Sequence, residues 1–358
     1  MSRPESGCLS VNDRPARDYF SAAQQAFEKA AVKAGEIRLT FRLGDGFLCL
    51  RFAGPALVER LTRAMRHIEC PLPDGVAADL TVNCFDSITT GTLMPPPTWP
   101  ATAYGVKGHI ENYNTADHHT LYQPGIDILN LYERSTATGL YWVEKAETIP
   151  YWEASFPMRG MVHWWSREKP LQLMHAGAVG LPEGGVLLAG KSGSGKSTSA
   201  LACLAGGLDY VSDDYIMADV ATPYVYSMYS TAKLVPENTA RFPAFEKMIS
   251  NPAELQQSKA LIYLYEHFPK QISAGFPVKA ILMPRVTGLR DTSLSPAKAS
   301  ASLFALAPTT VMHLEGHSKL AFEKTRDLVQ QLPHYWLNSG TDLMQIPQTI
   351  RNFLEKGA

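Results

Sequence analysis

The C-terminal part of this chain predicts an α/β layer structure, and the N-terminal part a smaller α+β domain. Two observations carry the first expectation. Strand-like and helix-like segments alternate from Val186 onward, and a glycine-rich turn at residues 190–197 joins an apolar run to an amphipathic stretch. A third carries the second: helix, hairpin, helix and strand patterns follow one another over residues 18–85.

Tyr19, Phe20, Ala23, Phe27, Ala30, Ala31 and Ala34 share one helical face, and Gly35 supplies the stop. Residues 37–43 alternate as a strand, Gly44-Asp45-Gly46 makes a turn, and residues 47–52 read as the return strand. Leu57, Val58, Leu61, Met65 and Ile68 mark a second amphipathic helix, and residues 79–85 another strand. The proline-rich MPPPTWP at 94–100 suits a surface connection. Residues 109–124 are polar and aromatic with no clean period. Strands are expected at 127–131 and 140–143, and an aromatic-rich helix at 150–165. Further strands follow at 186–188, 210–211, 224–228, 260–264 and 279–283, with a helix at 196–206. Ser295-Pro296 reads as a helix start before AKASASLFAL, because proline suits the first helical position. The expected domains are 1–148 and 149–358.

Composition narrows the function classes. Lys and Arg number 33 against 34 acidic residues, so no global field favours nucleic acid or an anionic membrane. No apolar run is long enough for a membrane span. The N-terminal residues lack the apolar core of a signal peptide. Five scattered cysteines with no CxxC pair argue against a disulfide framework or zinc site, and for a reducing, cytoplasmic setting. His118-His119 lacks further ligands at metal-binding spacing.

The strongest motif is Gly190-Lys191-Ser192-Gly193-Ser194-Gly195-Lys196-Ser197, which fits GxxxxGK(S/T). At ordinary residue frequencies this pattern arises about once in a hundred chains of this length. It follows the apolar run GVLLA and opens a helical stretch that closes at Gly206-Gly207. Such a loop predicts ATP and Mg²⁺ binding. Gly190, Ser192, Gly193, Ser194, Gly195 and Thr198 would wrap the phosphates, Lys196 would lie along the β- and γ-phosphates, and Ser197 would offer its hydroxyl to the metal. Asp213-Asp214 ends the next strand-like segment, 18 residues or so past Lys196. Adjacent carboxylates there can divide labour between metal and acceptor proton. Ser-Asp-Asp is equally the chemistry of a plain turn. His175 precedes the loop, in LMHAG.

Residues 171–219 resemble the HPr kinase/phosphorylase superfamily, which has a Met-His-Gly-like segment, a strand, the loop, a helix and an Asp-Asp pair in this order. The resemblance implies an α/β P-loop kinase domain of the HPr-kinase/PEP-carboxykinase-like type. It further implies Asp214 as general base, with His175 in the same proton-handling group, Lys196 on the nucleotide, and Ser197 and Asp213 at the metal. Two departures count against HPr as the acceptor and against the reverse phosphorylase reaction. Thr198 stands where the bacterial enzymes usually carry Glu, and the downstream glycine-rich signature is missing, with Glu237 only in its approximate region. The chain is more similar to divergent HPr-kinase-like proteins of lasso-peptide clusters, which phosphorylate a precursor-peptide serine. The expected activity is therefore a serine-type kinase with a protein or peptide acceptor. The alternatives are a small-molecule hydroxyl kinase and an ATP-binding regulator without transfer. Homo-oligomerisation stays open. Lys233, Arg159 and Glu266 (the conventional downstream acid) are weaker candidates.

Overall fold

The computed structural model describes residues 13–105, 108–313 and 318–357. The described residues pack as two compact units: those within 13–40, 47–60 and 71–150 form the first, and those within 41–46, 61–70 and 151–357 the second. Among the described residues no helix is long and apolar enough to cross a membrane. Cys49, Cys70, Cys84 and Cys203 are free thiols, and Cys8 lies outside the described residues.

In the first unit one long helix, Arg14–Ala34, lies on a six-stranded sheet. Proline in its first turn suits the helix start, and Gly35 ends it at φ +83°. Its buried stripe, including Tyr19, Phe20, Ala23, Phe27 and Ala30, packs with Phe85, Leu131 and Leu140 from the sheet. The strands are β1 (Glu36–Leu43), β2 (Gly46–Ala53), β3 (Leu80–Asp86), β4 (His118–Gln123), β5 (Ile128–Glu133) and β6 (Thr138–Val143), in the order β1-β2-β3-β6-β5-β4. Strand β4 falls in the stretch that showed no period. Its first four residues, His118 to Leu121, are all buried, so polar and apolar side chains do not alternate there.

The second unit is built on a nine-stranded mixed sheet. Its strands are β7 (Leu171–Met174), β8 (Gly177–Leu181), β9 (Gly184–Leu188), β10 (Asp209–Ser212), β11 (Ile216–Asp219), β12 (Tyr224–Ser227), β15 (Gly275–Val286), β16 (Ser293–Pro296) and β17 (His334–Ser339). A separate two-stranded sheet joins β13 (Thr231–Leu234) to β14 (Ala260–Tyr263). The large sheet is buried on both faces. Val186, Leu188, Ala280 and Leu282 meet Leu201 and Leu204 of the helix Lys196–Ala205 and Ile346 and Ile350 of Gln345–Glu355. The alternate residues Leu187, Ile281 and Met283 meet Leu306, Leu328 and Val329 on two further helices. Such near-continuous apolar runs mark a sheet covered by helices on both sides.

Two expected helices differ. The single helix at 150–165 is two short ones, Tyr151–Ser155 and Arg159–Ser166. Pro157 breaks them apart, and Met158 turns the chain at φ +57°. The Ser295-Pro296 start is instead the end of strand β16, antiparallel to β17, and the helix begins at Ala299. Proline is tolerated there because it sits at a strand end.

Candidate active site

Strand pairing brings three chain segments to one end of the large sheet. β8 lies antiparallel between β9 and β10, so the ends of β9 and β10 fall beside the start of β8. The loop at 190–195 leaves β9, Asp213 and Asp214 leave β10, and His175 stands two residues before β8. Gly177, the first residue of β8, permits this approach: a Cβ there would come within 3.2 Å of the Ser212 carbonyl and 3.3 Å of Asp213 Cα. Ligand sites commonly form outside the carboxyl ends of strands in this way.

The loop is tight. A Cβ on Gly190 would overlap the Ser194 hydroxyl, and Gly195 caps the helix at φ +103°, in the left-handed region. Ser199 N then donates to Gly195 O at 2.8 Å and starts the helix, whose apolar stripe of Ala200, Leu201 and Leu204 holds it against the sheet. Lys196 folds back over the loop, with Nζ donating to Gly190 O at 2.6 Å and Lys191 O at 3.4 Å. Burial lowers the pKa of this ammonium, and the charges of Asp214 and Asp213 work against that shift. Ser194 Oγ is buried without a hydrogen bond.

Ser212 fixes the turn that carries the acids: its hydroxyl accepts from Asp214 N and Tyr215 N, each at 3.1 Å. Asp214 then meets two bases. His175 Nε2 lies 2.5 Å from Oδ1, and Lys233 Nζ, from β13, lies 2.9 Å from Oδ2. The main-chain N–H of Lys233 also reaches Asp213 Oδ2 at 3.5 Å, so one residue braces both acids. Burial works against ionisation of Asp214, but the hydrogen bond from His175 and the charge of Lys233 prevail and hold its pKa well below the usual carboxylate range. Asp213 goes the other way. Burial and the negative charge of Asp214 push it up, while the Ser197 hydroxyl and Lys233 pull against them. Its Oδ1 is buried and has no hydrogen bond.

A second layer holds these groups. The His175 ring meets Tyr215 edge-on at 5.4 Å, and Tyr215 meets Phe156 at 4.9 Å. Lys233 Nζ lies over the Phe156 ring at 4.2 Å, and Arg159 Nη1 donates to Tyr215 OH at 3.2 Å. His175 N donates to Thr310 Oγ1 at 3.3 Å. Phe156, Ser212 and Tyr215 had no signal in the sequence beyond their nearness to a break or an acid.

Other candidates sit elsewhere. Glu266 is held by Arg63 through Nε at 2.6 Å and Nη2 at 2.8 Å, a pairing that lowers its pKa and ties up its carboxylate. Glu237 is exposed. In the first unit the β4–β5 hairpin sets His118 beside Asp117 and Glu133, the further groups that the sequence spacing did not reveal. Their carboxylates already accept from Ser135 and Thr136, and His118 Nδ1 faces Asp13 at 3.2 Å, so the group ties the helix start to the hairpin.

No family model and no curated protein matches the sequence. Among solved structures, the chain is similar to the Hpr(Ser) kinase/phosphatase from Coxiella burnetii, at 14% identity over 52% of this chain and 97% of that one, with a TM-score of 0.29.

Proposed function

We propose that the second unit transfers the γ-phosphoryl group of ATP to a hydroxyl, with a serine of a protein or precursor peptide as acceptor. One observation carries the reading: Asp214 lies within hydrogen-bond distance of both His175 and Lys233, directly after an acid influenced by the P-loop serine. A plain turn has no need of two adjacent carboxylates, one buried and one partly buried, braced by a lysine and a histidine, and neither has a nucleotide sensor.

The loop suits the phosphate chain. The helix Lys196–Ala205 begins at the loop with its positive end, and Lys196 would exchange its two carbonyl partners for phosphate oxygens. Ser197 and Asp213 fit Mg²⁺, since a hydroxyl and a buried carboxylate oxygen with no hydrogen bond are hard donors of the kind this ion takes. When bound, the ion neutralises charge on the phosphate oxygens.

Asp214 is kept ionised and aimed by its two neighbours. The acceptor oxygen bonds to the γ-phosphorus as the bond from that phosphorus to the bridging oxygen breaks, and the hydroxyl proton passes to Asp214. Its low basicity is adequate, because in a loose transition state the hydroxyl surrenders its proton late. Incubation with ATP, Mg²⁺ and a fractionated cell extract, followed by mass spectrometry for phosphoserine, tests the proposal. Phosphorylation confined to small molecules would replace the acceptor class, and no transfer to anything would leave an ATP-binding regulator.

A further inference from the structure

The first unit holds a cavity of about 290 Å³ that phosphoryl transfer does not use. Tyr19, Trp99, Tyr122 and Trp142 line it, with the carboxylates of Asp127 and Glu144. No lysine, arginine or histidine is among the described residues that line it. Lys145 lines an adjoining hollow that shares the two acids. The rings are held in place: Tyr19 OH donates to Pro95 O at 3.0 Å, and Tyr19 meets Trp99 edge to face at 4.8 Å. Trp142 Nε1 donates to Ser87 Oγ at 2.9 Å, and Tyr122 OH donates to Asp127. The proline run at residues 95–97 forms part of the wall, and its fixed φ angles make that wall stiff. Leu93, which also lines the cavity, is 84% exposed.

We propose that this cavity binds a small organic cation, an alkyl- or quaternary ammonium with a compact apolar body. Aromatic faces attract such a cation, most strongly where water is excluded. The two carboxylates add attraction of the same sign, and they disfavour an anion. A neutral apolar ligand would cover both acids without pairing them, at a desolvation cost. The volume stands at the low end of small-molecule sites, and the exposed Leu93 offers apolar surface to the ligand's body. The proposal rests on the first unit alone and is independent of the phosphotransfer reading.

The test is calorimetric titration of the full chain with choline and with its uncharged tert-butyl isostere, which has carbon in place of the quaternary nitrogen. Choline should bind about tenfold more tightly than the isostere. Glu144→Gln and Asp127→Asn should each weaken choline by about three- to tenfold and leave the isostere no weaker than before. Asparagine keeps the fold at position 127, because it too tolerates the φ of +51° found there. Trp142→Leu, with far-UV circular dichroism to confirm folding, should weaken choline by about tenfold. Equal affinity for the two ligands, unchanged choline binding by the charge-removing variants, or no heat with millimolar choline would each overturn the proposal.

Discussion

Replacing Lys233 with methionine should convert Asp214 from a permanently ionised carboxylate into one that titrates, and stability should record the change. The ammonium lies 2.9 Å from Oδ2, and both side chains are more than four-fifths buried. At an effective dielectric of about 20 their Coulomb attraction is about 6 kcal/mol. Desolvation of the lysine offsets part of this, and breaking such a pair from one side costs about 3 to 5 kcal/mol. In the wild type the folded-state pKa of Asp214 is depressed. Its contribution is therefore present above the ordinary carboxylate range and is lost only as pH falls toward the depressed value. In Lys233→Met, burial still raises that pKa and only His175 is left to oppose it, so the pKa moves upward. The stability deficit against wild type should then grow as pH rises, to about 3 kcal/mol near about pH 7. For a unit of this size that is a fall of about 6 to 12 °C in Tm. Thermal unfolding of both proteins at about pH 4.5 and about pH 7.5 measures it. A deficit that is the same at both pH values would refute the electrostatic account, and so would equal stability at the higher one.

The remaining predictions concern transfer itself. Lys196→Ala should abolish phosphoryl transfer and weaken ATP in a binding titration, because it deletes the cation nearest the phosphate chain; unchanged transfer would sink the loop assignment. Ser197→Ala should raise the Mg²⁺ concentration needed for half-maximal rate, and a rate indifferent to chelator would contradict the metal site. Asp214→Asn should still bind ATP while single-turnover transfer falls by about 10² or more, and a wild-type rate would place the base elsewhere. Asp213 needs its proton removed to ligate Mg²⁺, and its pKa is raised, so apparent Mg²⁺ affinity should weaken as pH falls from about 8 to about 6. Asp213→Asn should flatten that dependence, and metal titrations at each pH would show whether it does.

The legible parts of the molecule are those whose cause is local. The loop announces itself because its glycines answer local demands: a Cβ on Gly190 would overlap Ser194, and Gly193 and Gly195 take φ of +79° and +103°. The long first helix is legible because its apolar stripe repeats over 21 residues, and β9 because its run is uniformly buried. Strand β4 was hidden because a buried His118 and His119 do not read as apolar. The break at Pro157 needed only one residue to be weighed against an otherwise helical pattern. Lys233 is the instructive case. It could be singled out only as a cation some twenty residues past the acids, a position that equally suits a solvated side chain. Its approach to Asp214 comes from β13, which pairs with β14 and not with the large sheet. That pairing joins Lys233 to Leu261, across a 25-residue connection with short helices in it. Nothing near residue 233 reports the register, and a shift of one residue would turn the ammonium to the opposite face. The charge on Asp214, and with it the choice between an ionised base and a protonated one, thus depends on a strand pairing made far from the acid turn.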